Sequence, residues 1–138
     1  MRKILLASHG TLADSMLCSI EMIMGRQERI RTMCAYLNGE NEIASRVRRF
    51  MEERHAEDDW IVVTDLFGGS VNNEFMSYAQ SGEICLLSGM NLAMLLMLTE
   101  NLDSPDRESM LQEALSAAQE GCVNCGVLVC NDQIVEDF

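Results

Sequence analysis

The sequence predicts an α/β fold: a single domain with a mostly parallel, open sheet of four strands flanked by helices. Three observations carry this expectation. Lys3-Ile-Leu-Leu-Ala-Ser-His9 is an apolar run stopped at His9-Gly10 and followed by an amphipathic segment, Leu12 to Met24, which is the pattern of a β-α unit. Trp60-Ile-Val-Val-Thr64 is continuously apolar, as expected of a parallel strand covered on both faces. Strand-like and helix-like segments also alternate along the chain in the order β-α-β-α-β-α-β-α-α-β, the order of a wound parallel sheet.

Taken in order, the first strand ends at His9 and the first helix runs to Met24, where Gly25 is a stop signal. Ile30 to Leu37 reads as the second strand and Asn38-Gly39 as a turn. Glu40 to Arg54 has apolar residues at Ile43, Val47, Phe50 and Met51, a helical spacing with charges on the opposite face. The acidic connection Glu57-Asp58-Asp59 leads into the third strand, which ends in the glycine-punctuated loop Asp65-Leu66-Phe67-Gly68-Gly69-Ser70. Ser70 is positioned to cap the next helix, with Asn72, Asn73 and Glu74 in its first turn. Glu83 to Leu87 is a short fourth strand closed by Ser88-Gly89. Asn91 opens an apolar helix through Leu98, and Ser104-Pro105 starts another that runs to about Glu120. Val123 to Cys130 is a candidate fifth strand, antiparallel and placed after two helices; the segment 131–138 is an acidic tail ending in Glu136-Asp137-Phe138.

Bulk properties narrow the function. A chain of 138 residues with 48% hydrophobic and 23% charged content is globular. It has neither an apolar run of membrane-spanning length nor a recognisable signal peptide, so a cytoplasmic location is expected. The net charge of -12, from ten basic and twenty-two acidic residues, argues against nucleic acid and anionic membrane as partners and suits a basic partner protein. Lys3 is the only lysine, which removes a Walker-type phosphate loop, and no G-x-G-x-x-G motif is present. Cys18, Cys34 and Cys85 lie in apolar segments, where a reduced thiol packs as a small hydrophobe. Cys122-x-x-Cys125 has the spacing of a metal or redox pair, but no second ligand pair follows it, and packing is the plainer reading. No metal or cofactor is expected.

The chemistry gathers at the carboxyl end of the first strand. There His9 meets the amino end of a helix, in the crevice where parallel sheets bind ligands and helix N–H groups attract anions. If strands one and three are neighbours, Asp65 stands beside His9. A carboxylate on one ring nitrogen fixes the tautomer, frees the other nitrogen and stabilises an imidazolium. Such a histidine is a nucleophile toward phosphorus. Backbone N–H groups at Gly10, Thr11 and Leu12, and at Leu66, Gly68, Gly69 and Ser70, with the Ser70 hydroxyl, are then candidates to hold phosphoryl oxygens. Asn72 and Asn91 are candidates to line the crevice, though Asn91 could equally serve as a helix cap. The bland alternative keeps His9 as a satisfied strand-end residue and Asp65 as a turn cap. His55, in Glu53-Arg54-His55-Ala56-Glu57, reads as surface.

Three motifs together, Ser8-His9-Gly10-x-x-Ala13, Thr64-Asp65-Leu66-Phe67-Gly68-Gly69-Ser70 and Ser88-Gly89-Met90-Asn91-Leu92, resemble the enzyme IIA domain of the mannose family of the bacterial sugar phosphotransferase system. The resemblance covers nearly the whole chain, 1–130. It implies that His9 is a phosphorylated histidine oriented by Asp65, that the carrier protein HPr is the donor, and that a IIB protein is the acceptor. Through IIB the membrane proteins IIC and IID take part indirectly in sugar uptake. It further implies a homodimer, with the last strand exchanged between subunits as one form this could take. Two departures stand out: where relatives commonly carry proline, this chain has Val71 and Ala93, a change that costs rigidity more than chemistry. The chain is expected to be a stand-alone IIA that finds IIB in trans. Rival readings are the phosphotransferase subunit of a dihydroxyacetone kinase, whose loop after strand three lacks the Leu-Phe-Gly-Gly form, and a non-catalytic regulatory module. A histidine phosphatase fits less well, because Ser8 stands where its arginine would be.

Overall fold

The computed structural model describes residues 1–130. The acidic segment 131–138 lies outside the described residues. The chain divides into two compact units, Met1–Asn91 and from Leu92 onward.

The first unit alternates β1 (Arg2–His9), α1 (Leu12–Met24), β2 (Ile30–Ala35), α2 (Ile43–Glu53), β3 (Asp59–Thr64), α3 (Ser70–Gln80) and β4 (Cys85–Ser88). Its four strands form one parallel sheet in the order β2-β1-β3-β4. Each crossover therefore needs a helix, and the alternation in the sequence supplies one. The register pairs His9 with Ala35 of β2 and Ala7 with Thr64 of β3, so the ends of β2 and β3 flank the end of β1. The adjacency on which the His9–Asp65 pairing depended is the observed one.

Alternation along the strands sorts their side chains onto two faces. Leu5, Ala7, Met33, Trp60 and Val62 pack with Val47, Phe50 and Met51 of α2 and with Val71 and Phe75 of α3 in one core cluster. Within it the Phe50 and Trp60 rings meet edge-to-face with centroids 5.0 Å apart, an arrangement that adds about 0.5–1.5 kcal/mol to area burial. Ile4, Leu6, Ile61 and Val63 point to the opposite face and are likewise buried. At the amino ends of β1 and β3, Lys3 Nζ lies 2.8 Å from Asp58, so the acidic connection serves as a counter-charge. On the outer strand β2, the Arg46 guanidinium donates to the Cys34 carbonyl at 2.6 Å and covers part of the exposed edge.

Element boundaries follow local chemistry. Gly25, with φ of 84°, ends α1 as its sequence signalled. β2 stops at Ala35, two residues before the expected Leu37, because Tyr36 and Asn38 both adopt left-handed conformations in a tight turn ending at Gly39. Cys34 is buried, and burial pushes its thiol pKa up. Cys18 is exposed, contrary to the expectation that it would pack as a hydrophobe.

The second unit contains α4 (Leu92–Glu100), α5 (Arg107–Glu120) and α6 (Cys125–Cys130). α4 and α5 pack on one another. α5 begins after Pro105, with Asp106 as its cap: its carboxylate accepts from the Ser109 N–H at 3.1 Å. The fifth strand expected over Val123–Cys130 is not what forms, since Cys125–Cys130 is a helix. The Asn124 carbonyl accepts from the Val127 N–H at 3.1 Å and from the Leu128 N–H at 3.2 Å, and its side chain lies 3.4 Å from the Val127 N–H. A capping asparagine followed by Cys125-Gly126 thus outweighs the β preference of the three valines. Among the described residues, no helix is long and apolar enough to cross a membrane, and no group of three or more His, Cys, Asp or Glu side chains is arranged to hold a metal ion.

Candidate active site

β1 delivers His9 to the edge of the sheet, and Gly10, with φ of 58°, turns the chain from strand to helix. The buried Ser8 secures this junction from below: its hydroxyl accepts the Ala13 N–H at 2.8 Å, capping α1 in place of Thr11, whose side chain makes no cap. His9 is therefore set between two rigid elements. Its side chain is 44% exposed, accessible to a partner molecule.

Asp65 begins the loop after β3 and holds the histidine twice. One carboxylate oxygen, Oδ2, accepts the His9 backbone N–H at 2.8 Å and lies 2.7 Å from Nδ1; the other accepts the Leu66 N–H at 2.9 Å. Burial by itself raises the Asp65 pKa, but the hydrogen bonds and charge of His9, with the Leu66 N–H, outweigh it and leave the carboxyl below its ordinary value. A carboxylate can only accept, so in the neutral imidazole Nδ1 carries the proton and Nε2 keeps its lone pair. Nε2 faces Ser70 Oγ at 3.2 Å. Ser70 is thus not the cap expected of it: Gly69 occupies that position, and Ser70 is the first residue of α3, with its hydroxyl turned to the imidazole.

The loop Asp65–Gly69 is tightly built. Gly68 has φ of 77°, in the region that glycine enters without steric cost. A Cβ on Gly69 would lie 3.2 Å from the Leu66 carbonyl oxygen and 3.5 Å from His9 Cε1. Asn72, expected to line the crevice, is instead buried at 2% exposure. Its side chain donates to Thr64 Oγ1 at 2.8 Å and accepts from the Gly68 N–H at 3.3 Å, tying the loop to the end of β3 from behind. Asn91 lies in the turn after β4, with its amide 3.5 Å from the Gly89 carbonyl.

Several amides expected to hold phosphoryl oxygens are engaged by the fold. The Gly10 N–H donates to Ala35 O at 2.8 Å, that of Leu66 to Asp65, that of Gly68 to Asn72 and that of Gly69 to Leu66 O at 3.1 Å. Tight loops satisfy their own backbone first. The Thr11, Leu12 and Ser70 N–H groups, at the amino ends of α1 and α3, find no acceptor among the described residues and remain free for an anion.

One residue escaped the sequence reading. Tyr36 follows the last residue of β2, its ring centroid lies 5.3 Å from that of His9, and its hydroxyl donates to Ser70 Oγ at 2.8 Å. The sequence pattern placed Tyr36 inside the second strand, and only the left-handed turn seen in the structure carries it to the crevice. Leu66 and Phe67 of the same loop are 62% and 77% exposed.

Comparison with known proteins gives concordant results. The family model for the fructose IIA component of the PTS system matches residues 3–119. The sorbose-specific EIIA component of Klebsiella pneumoniae is 29% identical over 119 residues, 84% of this chain and 86% of that one. A crystal structure from Klebsiella pneumoniae, assigned to a phosphoenolpyruvate-dependent sugar phosphotransferase system permease, shares 37% identity with a TM-score of 0.88 over 93% of each chain. The PTS IIA protein associated with the fucose utilization operon of Streptococcus pneumoniae shares 30% identity with a TM-score of 0.80, covering 93% of this chain and 96% of that one.

Proposed function

We propose a function from one premise: this chain belongs to the mannose-type EIIA family, the fructose IIA components of the sugar phosphotransferase system. In our reading it is a cytoplasmic phosphoryl carrier that accepts phosphate from phospho-HPr on His9 Nε2 and passes it to a IIB protein. The observation that carries the reading is the polarised imidazole of a half-exposed histidine, with Nδ1 held by Asp65 at 2.7 Å and Nε2 beside the Ser70 hydroxyl at 3.2 Å.

The step balances without a metal. The Nε2 lone pair forms a bond to phosphorus while the P–N bond of the donor's protonated phosphoimidazole breaks. The electron pair stays on the donor ring, which leaves as neutral imidazole. His9 keeps its Nδ1 proton and becomes a phosphoimidazolium, whose charge Asp65 stabilises. Thr11, Leu12 and Ser70 N–H groups, with the Ser70 hydroxyl, are suited to receive the phosphoryl oxygens. Transfer to IIB is the same step in reverse, and exposed Leu66 and Phe67 provide apolar surface for either partner.

The test is reconstitution with phosphoenolpyruvate, enzyme I and HPr. An acid-labile, alkali-stable phosphate is expected on the wild-type chain, retained in His55→Ala and lost in His9→Ala. A correctly folded chain that takes up no label removes HPr as the donor and returns the regulatory-module reading.

A further inference from the structure

We propose that Tyr36 is a positioning residue for phosphoryl transfer at His9, acting through Ser70; the proposal rests on the carrier reading above. Tyr36 sits at φ 63° and ψ 26°, a left-handed conformation that a bulky L-residue adopts only when its surroundings enforce it. That turn carries the ring toward the imidazole, with 5.3 Å between centroids and 30° between planes, and brings the phenol oxygen to 2.8 Å from Ser70 Oγ.

The direction of the chain of hydrogen bonds follows from its end. In the neutral, nucleophilic ring Asp65 accepts the Nδ1 proton, so Nε2 is an acceptor and Ser70 donates to it across 3.2 Å. Tyr36 donates to Ser70 and so occupies a lone pair of the serine oxygen. The serine proton is thereby aimed at Nε2 before transfer and at an oxygen of the phosphoryl group once the N–P bond has formed. No proton changes owner in this exchange: Ser70 redirects its bond, and the charge gained by His9 faces Asp65. Without the phenol, the Ser70 hydroxyl is free to rotate toward water, and part of its orientation toward the developing phosphoryl group is lost. Tyr36 therefore acts on the rate of the chemical step and not on the affinity for the donor.

Tyr36→Phe removes the hydroxyl and keeps the ring against His9. Rapid-quench transfer from phospho-HPr is expected to slow about five-fold, with the half-saturating HPr concentration unchanged, the size of one net hydrogen bond. In nitrogen-15 spectra of the unphosphorylated protein, the Nε2 resonance is expected to move toward the position of an unbonded ring nitrogen. Ser70→Ala should do both, and Tyr36→Phe combined with Ser70→Ala should be no worse than Ser70→Ala alone. A Tyr36→Phe protein with wild-type rate and spectrum overturns the proposal. So does a full additional loss in the double variant, or a change confined to the HPr concentration dependence. Absence of label on the wild-type protein is a separate failure, that of the carrier reading; the spectra need no donor and decide the role of Tyr36 by themselves.

Discussion

Asp65 shows how much one side chain can be asked to do. Its two oxygens hold a backbone N–H, a ring nitrogen and the first amide of the following loop, and the carboxyl is depressed as a result. A depressed carboxyl contributes stability that is complete above its unfolded value, about 3.9, and is lost as pH falls through the lower, folded value. Asp65→Asn is therefore expected to unfold more readily than wild type at pH 7, with the difference closing below about pH 4 in acid titrations followed by circular dichroism. The same variant keeps an acceptor for Nδ1 but loses the counter-charge, and its initial phosphorylation rate should fall at least about ten-fold, as for a hydrogen bond to a charged group. The pairing of His9 with Asp65 was legible in the sequence because both close apolar runs that become adjacent strands. Tyr36 was not, because its approach to His9 depends on a left-handed turn that nothing in the β-prone run Ile30 to Leu37 announces.

At the scale of elements, the loop from Asp65 to Gly69 is held from in front by His9 and from behind by Asn72. Replacing Asn72 by Ala leaves Thr64 Oγ1 without its amide and the Gly68 N–H without its acceptor. A cost of about 1–3 kcal/mol is expected, read as a fall of several degrees in Tm, together with faster hydrogen exchange in the loop. Gly69→Ala is the complementary test, since the added Cβ meets the Leu66 carbonyl at 3.2 Å and His9 Cε1 at 3.5 Å. Overpacking of about 1 kcal/mol is expected, with a disproportionate loss of phosphorylation rate because the displaced atoms are those of the site. Sequence patterns located the strands and helices of the first unit to within a few residues, since each has the period of its class. They failed at the last element, where Val123 to Cys130 carries the composition of a strand but Asn124 starts a helix. They also misplaced the helix cap, as Ser70 turned its hydroxyl to the imidazole and left Gly69 at the cap position.

For the whole molecule, the net charge of -12 sets the electrostatic background. Self-repulsion at that charge opposes compaction, so Tm should rise as salt is added, and a flat or falling Tm would show that local ion pairs dominate instead. The parallel sheet places β1 and β3 in its middle, where Leu6, Ile61, Val62 and Val63 are fully buried. His9 and Asp65 thus stand at the ends of the two central strands. His9, Tyr36, Asp65, Ser70 and Asn72 also share one compact unit that ends at Asn91. During synthesis on the ribosome, N-terminus first, every one of them has been added before Leu92. The residues gathered around His9 are thus all in hand before α4 is made.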